Sequence, residues 1–328
     1  MATETGGDIA TGTGESRLQD RYDLPEPETV REGARNRVDL HLHTSRSDGV
    51  LTPDELYRQL VEYGIAVAAI SDHDVLDAYR ELRDAGRVGA GSADPVAGPL
   101  LIPAVEINAV AEHMPDLLEP ELHILGYGVD IDDQSFELLM AGQRAARHNR
   151  VWALVDRLRE IGMPIDHVIA ETLPADVASA GRPHVARALV KAGHVESVQA
   201  AFDTVLTRGG PGYVPRQGLG VREAIEAIRA AGGLPVLAHF PAAPEVPERI
   251  EELRSWGLLG LEVYYRRFTP NDVERMLAFA TERGLMITGG SDYHGDTMNY
   301  PDTQATTWVP DEVAERLLEA LADLPARA

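Results

Sequence analysis

From Val38 onward, short apolar runs alternate with segments whose apolar residues recur at helical spacing, and this alternation constrains the fold more than any other feature. VDLHLH is followed by TPDELYRQLVEY and then by VAAIS; LPVLAHF, LLGLEVYY and LMITGGSDYH are separated by PERIEELRSWG and PNDVERMLAFATERG. Strands buried on both faces read as unbroken apolar runs, and an amphipathic helix between them returns the chain for parallel pairing, so the pattern predicts βαβ units. Strands are expected near 100–107, 122–129, 234–240, 258–265 and 285–294. Thr52, Pro53 and Glu55 suit the N-cap, N1 and N3 positions of the first helix. The stretch from about 132 to 217 carries helical patterns without a strand pattern and reads as a helical insertion in a barrel domain covering 37–326. Residues 87–99 read as a loop, and residues 1–36, polar and acidic, as a disordered tail.

Composition narrows the chemistry. With 0 cysteines, thiolate sites and disulfides are excluded, and any metal must rest on nitrogen and oxygen. A formal net charge of −23 repels duplex nucleic acid and anionic membrane, so an anionic substrate needs local positive charge. Arginine supplies it, since Lys191 is the lone lysine. No apolar run of membrane-spanning length and no leader pattern is present, so a cytoplasmic protein is expected.

His41 and His43 lie two apart on a predicted strand, which puts both imidazoles on one face; Asp292 and His294 repeat the spacing. Asp48, His73, Glu106, His123 and His239 recur at or near other strand ends, so six of the 11 histidines belong to the set. In a closed parallel barrel the C-terminal strand ends converge on one face, and these nine residues would meet there. His113, His148, His167 and His194 are not expected to be ligands.

The motifs HxH, SDHD, the lone histidine of LAHF and SDYH resemble those of the PHP (polymerase and histidinol phosphatase) superfamily, over about Val38 to Leu324. With AVEIN, HILGY, GRPHVARALV and LEVYY, the chain is similar to the branch acting on 3′,5′-nucleoside bisphosphates, AMP or short oligoribonucleotides. The resemblance implies an α/β fold: a distorted seven-stranded, TIM-like (β/α) barrel with a helical insertion and two to three divalent ions, Mn²⁺, Fe²⁺ or Zn²⁺. It implies one ion on His41, His43, Glu106 and Asp292, a second on Glu106, His123 and His239, and a third on Asp48, His73 and His294. Val75 follows SDHD where many relatives have threonine, and Arg266, Arg267 and Phe268 follow VYY where relatives often carry a histidine.

The expected activity is hydrolysis of small nucleotide phosphomonoesters, extending to short RNA, by metal-activated hydroxide. Catalytic roles are expected for Glu106, Asp292, His294 and Asp72; Asp72 and Asp74 flank His73 as either orienting groups or strand-end stabilisers. Arg182, His184 and Arg216 are expected to grip substrate, with Arg182 at a helix N-terminus. Arg144, Arg147 and Arg150 are expected on a solvated helix face. The alternatives are a phosphatase of another small ester, such as histidinol phosphate, and a non-catalytic metal-binding module.

Overall fold

The computed structural model describes residues 38–88, 98–111, 114, 121–295, 300–306 and 308–324. The expected tail at 1–36, most of the 87–99 loop and His113 lie outside these. Seven strands form one sheet in the order β1 to β7: Val38–Leu42, Val67–Ile70, Leu100–Val110, Glu121–Tyr127, Leu234–Leu237, Gly260–Tyr265 and Met286–Gly290. The sheet curls into a nearly closed barrel. Helices α1 (Pro53–Glu62), α2 (Asp77–Asp84), α6 (Val221–Ala230), α7 (Pro247–Ser255), α8 (Pro270–Glu282), α9 (Tyr300–Thr306) and α10 (Asp311–Ala322) belong to this barrel layer. The first helix starts as its sequence predicts: the Thr52 hydroxyl accepts from the Glu55 N–H while the Glu55 carboxylate accepts from the Thr52 N–H.

The expectation of an all-parallel sheet is corrected at β4. It runs antiparallel to both β3 and β5, with Asn108 opposite His123 and Glu106 opposite Leu125. β3 and β4 therefore pair directly as neighbours, without a crossover helix. His123 consequently stands near the N-terminal end of its strand, and the reversal of β4 turns that end toward the same mouth as the C-terminal ends of the others.

Between β1 and β7 the barrel closes through little regular ladder. Leu42 bridges Tyr293, the Asp292 N–H donates to the His41 carbonyl at 2.8 Å, and the His43 N–H donates to the Tyr293 carbonyl at 3.0 Å. Buried Asp39 ties the seam, accepting from the Ser291 N–H (2.8 Å), the Ser291 hydroxyl (2.7 Å) and the Tyr300 hydroxyl (3.0 Å). Gly290 permits the approach, since a Cβ there would lie 2.4 Å from the His41 N and Cβ.

Between β4 and β5 the described residues form helices and loops, with a single bridge residue at Gly220. Helix α3 (Gln134–Glu160) packs Phe136 and Met140 into the barrel core, whereas its later Val151, Leu154, Val155 and Leu158 join a second apolar cluster. That cluster includes Ile165 of the preceding loop, Ile169 of α4 (Ile169–Thr172), Val185 and Leu189 of α5 (Arg182–Lys191), and Ala201 and Val205 of a π-helical turn at Ala201–Val205. One long helix thus serves two cores.

Candidate metal centre

Six of the seven strands deliver a ligand-type side chain inward at the barrel mouth. His41 and His43 come from β1 and the residue after it, His73 follows β2, Glu106 lies within β3, His123 within β4, His239 follows β5, and Asp292 and His294 follow β7. Asp48 comes from the turn after β1. Backbone geometry aims three of these ends: Asp74, His239 and Asp292 have φ of 55°, 29° and 49°, the left-handed region that side chains rarely adopt. Such conformations persist where the surrounding structure over-determines them, and they cluster at functional sites.

All nine expected ligand residues meet around Glu106 and Asp48. Glu106 Oε2 lies 3.3 Å from His41 Nε2, 3.2 Å from His43 Nε2 and 3.1 Å from His73 Nδ1; Oε1 lies 2.6 Å from His123 Nδ1 and 3.3 Å from His239 Nε2. Asp292 Oδ1 lies 3.2 Å from His43 Nε2 and 3.5 Å from His294 Nδ1. Asp48 reaches His294 Nε2 at 3.2 Å and His73 Nε2 at 3.5 Å. Atoms bound to one ion at about 2.0–2.2 Å stand roughly 3.0–3.5 Å from each other, the range of these separations apart from the closer His123–Glu106 pair. In four groupings one ligand atom from each residue lies within 4.8 Å of those from the others: His43, Asp48, His73 and His294; His41, Glu106 and His239; His41, His43 and Asp292; His73, Glu106 and His123.

The donor chemistry fits cations. His41 Nε2, both ring nitrogens of His43 and His73 Nδ1 are buried without a hydrogen-bond partner, although carboxylate oxygens surround them. The protein's own charges strain against one another. Burial would lower His43, yet the nearby carboxylates of Asp292 and Glu106 hold it at about 10; burial pushes His73 down to about 3 despite Asp48 and Glu106. Burial alone would raise Glu106, but the histidines hold it well below the usual carboxylate range. Cations shared among these groups would satisfy the nitrogens and offset the three carboxylates together.

Supporting groups fix the ligands. Glu262 of β6 sits 2.9 Å from His41 Nδ1 and accepts from the His239 N–H at 2.8 Å, orienting both residues. Its signal in the sequence was an acidic residue inside an apolar strand pattern, which the sequence reading passed over. The Tyr265 hydroxyl donates to Asp292 Oδ2 at 2.9 Å. Asp72, expected among the catalytic groups, instead accepts from the Thr44 N–H (2.7 Å), the Thr44 hydroxyl (2.5 Å) and the Ser47 hydroxyl (2.6 Å). It thereby shapes the turn that presents Asp48.

A cavity of about 400 Å³ opens above this floor. Its wall brings together Arg147, Arg150, Arg182 and Arg216, with Val151, Leu154, Val198 and Phe202 beside them. The expectation of a solvated face for Arg144, Arg147 and Arg150 is corrected. The Arg147 Nε donates to Asp74, which also accepts from Arg216 Nη2 at 3.2 Å; Arg144 donates to the Asp74 carbonyl at 3.0 Å; Arg150 pairs with Glu121 at 2.8 Å. Buried carboxylates at the strand ends draw these arginines inward. Arg182 also faces Glu121, at 3.4 Å, and stands over the Phe202 ring. His184 does not line the cavity: it is buried, its Nδ1 accepts from the Gly181 N–H at 3.1 Å, and burial lowers it to about 4. Its expected contact with substrate is replaced by a capping role, because an imidazole three residues into the helix folds back onto an uncapped Gly181 N–H.

A nearly closed seven-stranded barrel whose mouth gathers six imidazoles and three carboxylates beside an arginine wall defines the class of metal-dependent phosphoesterases. No family model matches the chain. It is 33% identical over 261 residues to the 5′-3′ exoribonuclease Rnm of Escherichia coli, covering 78% of this chain and 84% of that protein. It is 29% identical over 269 residues to the 3′,5′-nucleoside bisphosphate phosphatase of Chromobacterium violaceum, covering 78% and 87%. A crystal structure from Bifidobacterium adolescentis, described as a candidate metal-dependent phosphoesterase, superposes with a TM-score of 0.72 at 30% identity, covering 87% of this chain and 96% of that one. The chain belongs to the PHP superfamily and is a hydrolase of phosphoric esters.

Proposed function

We propose that the enzyme hydrolyses phosphomonoesters of small nucleotides, 3′,5′-nucleoside bisphosphates foremost, and the ends of short RNA. Two or three divalent cations, Mn²⁺, Fe²⁺ or Zn²⁺, would rest on His41, His43, Asp48, His73, Glu106, His123, His239, Asp292 and His294. Divalent cations held there supply hydroxide at neutral pH and offset charge on the phosphoryl oxygens. The remaining chemistry belongs to the chain itself. Glu262 and Tyr265 orient ligands, and Asp72 holds the turn bearing Asp48.

The observation that carries the substrate reading is the arginine wall. Arg147 Nη2, Arg150 Nη2 and Arg216 Nε are buried without a hydrogen-bond partner, in a cavity whose floor is the ligand cluster. Buried donors of this kind call for an acceptor, and a second phosphoryl group offers several. Phe202, Val151, Leu154 and Val198 add an apolar surface suited to a base or ribose. Two of the relatives carry names for nucleotide and RNA substrates, in keeping with this reading. The same wall disfavours histidinol phosphate, whose ammonium group would face guanidinium groups.

Purified protein supplied with Mn²⁺ should hold at least two metal equivalents and release phosphate faster from a 3′,5′-nucleoside bisphosphate than from AMP or histidinol phosphate. Metal-stripped protein with unchanged turnover, or a preference for histidinol phosphate, would overturn the reading.

A further inference from the structure

Arg266 and Arg267 stand on the turn after β6 and line the same cavity. Among the described residues neither forms an ion pair with a carboxylate, in a chain with 53 acidic and 30 basic side chains. Arg266 Nε is buried with no hydrogen-bond partner. Arg267 is exposed, close enough for its charge to act on Tyr265.

Their place in the barrel matters more than their charge. The arginine wall is anchored at Asp74, just past β2, whereas this pair follows β6. In the order β1 to β7, closed by the β1–β7 seam, β2 and β6 are three strand steps apart one way and four the other. The wall is also anchored at Glu121 of β4, two steps from β6, so the two cationic groups rise from different parts of the rim and both line the cavity over the ligand cluster. A nucleoside bisphosphate has two phosphoryl groups, enough to occupy the floor and the wall. A third anionic position has no use for it.

We infer that Arg266 and Arg267 form a further phosphate subsite on a part of the rim separate from the wall, so that the pocket receives a strand with at least three phosphates. The ligand class is single-stranded oligonucleotide; the apolar and charged lining offers no groove for a duplex. This inference rests on the nucleotide reading of the same pocket.

The test measures equilibrium binding, with Mn²⁺ present, of two non-hydrolysable ligands, a phosphorothioate-linked trinucleotide bearing a 5′-methylenephosphonate and a nucleoside 3′,5′-bis(methylenephosphonate). Wild type is compared with the double variant R266A/R267A and with R266K/R267K. The alanine pair should shift the ratio of the two affinities roughly tenfold against the trinucleotide and reduce the slope of log affinity against log salt by roughly 0.7 per lost phosphate contact. The lysine pair should restore the slope. An unchanged ratio in the alanine pair would sink the subsite, whether both ligands weaken together or neither does. Phosphate release by the same wild-type preparation judges the proposed function separately: a protein that binds both ligands but cleaves neither bisphosphate nor RNA defeats that reading and leaves the binding ratio to decide this one.

Discussion

The floor and the wall of the cavity are both buried and both charged, yet they are satisfied in opposite ways. Floor imidazoles lie among carboxylates with ring nitrogens left over, an arrangement completed by added positive charge. Wall guanidinium groups are pinned by carboxylates of the chain, Asp74 and Glu121, and keep N–H groups to spare, an arrangement completed by added negative charge. The floor stands on strand ends, the wall largely on α3, α5 and the loop bearing Arg216. The difference teaches that the metal floor and the proposed anion-binding wall are built on separate elements and can be perturbed separately.

The sharpest break between them is Asp292→Ala or His41→Ala. Either should lower phosphate release by ~10³-fold or more, with metal content reduced and the melting transition retained. Full activity in these variants, or equal loss on removing a wall residue, would erase the distinction.

Next in size is Glu121→Gln, which strikes the wall's anchor. Arg182 and Arg150 overcome burial and hold Glu121 down at about 2, below its ordinary 4.5. A depressed carboxylate contributes stability that is fully present above the unfolded pKa and is lost as pH falls from about 4.5 toward 2. Burial lowers Arg150 in spite of Glu121 and offsets part of this gain. Urea unfolding at pH 7 should show a loss of about 2–3 kcal/mol that shrinks through that window. A pH-independent loss would point to packing instead.

Glu262→Gln addresses the floor's support. Metal titration should show affinity weakened by roughly 10–100-fold while any metal-independent binding of nucleotide at the wall persists. Smallest is Arg182→Ala, expected to raise KM for a bisphosphate by about tenfold with metal content unchanged. A fall in metal content in that variant would show the two regions to be one.

The strands and the nine ligand-type residues were legible because few side chains suit such chemistry and because strand ends converge in a barrel. The direction of β4 was not, since an apolar run reads alike in either direction and the pairing that reverses it is tertiary. Arg182 and Arg216 were expected at the cavity, but the Arg147 and Arg150 half of the wall escaped for a related reason. Spacing on α3 groups Arg144, Arg147 and Arg150 but does not say which way their face turns, and that is settled by Asp74 and Glu121, far away in sequence. His184 was misread because a titratable side chain near a helix start looks the same whether it meets a ligand or caps its own backbone. Asp39 and Glu262 left only the faint mark of acids inside apolar strands.

The left-handed residues His239 and Asp292 carry a consequence for selection. Each would sit more comfortably in its backbone as glycine, so the fold is held below its attainable heat tolerance by the side chains its chemistry needs. A library sorted for thermal survival alone should drift toward glycine at these two positions and arrive at sturdy, inert barrels.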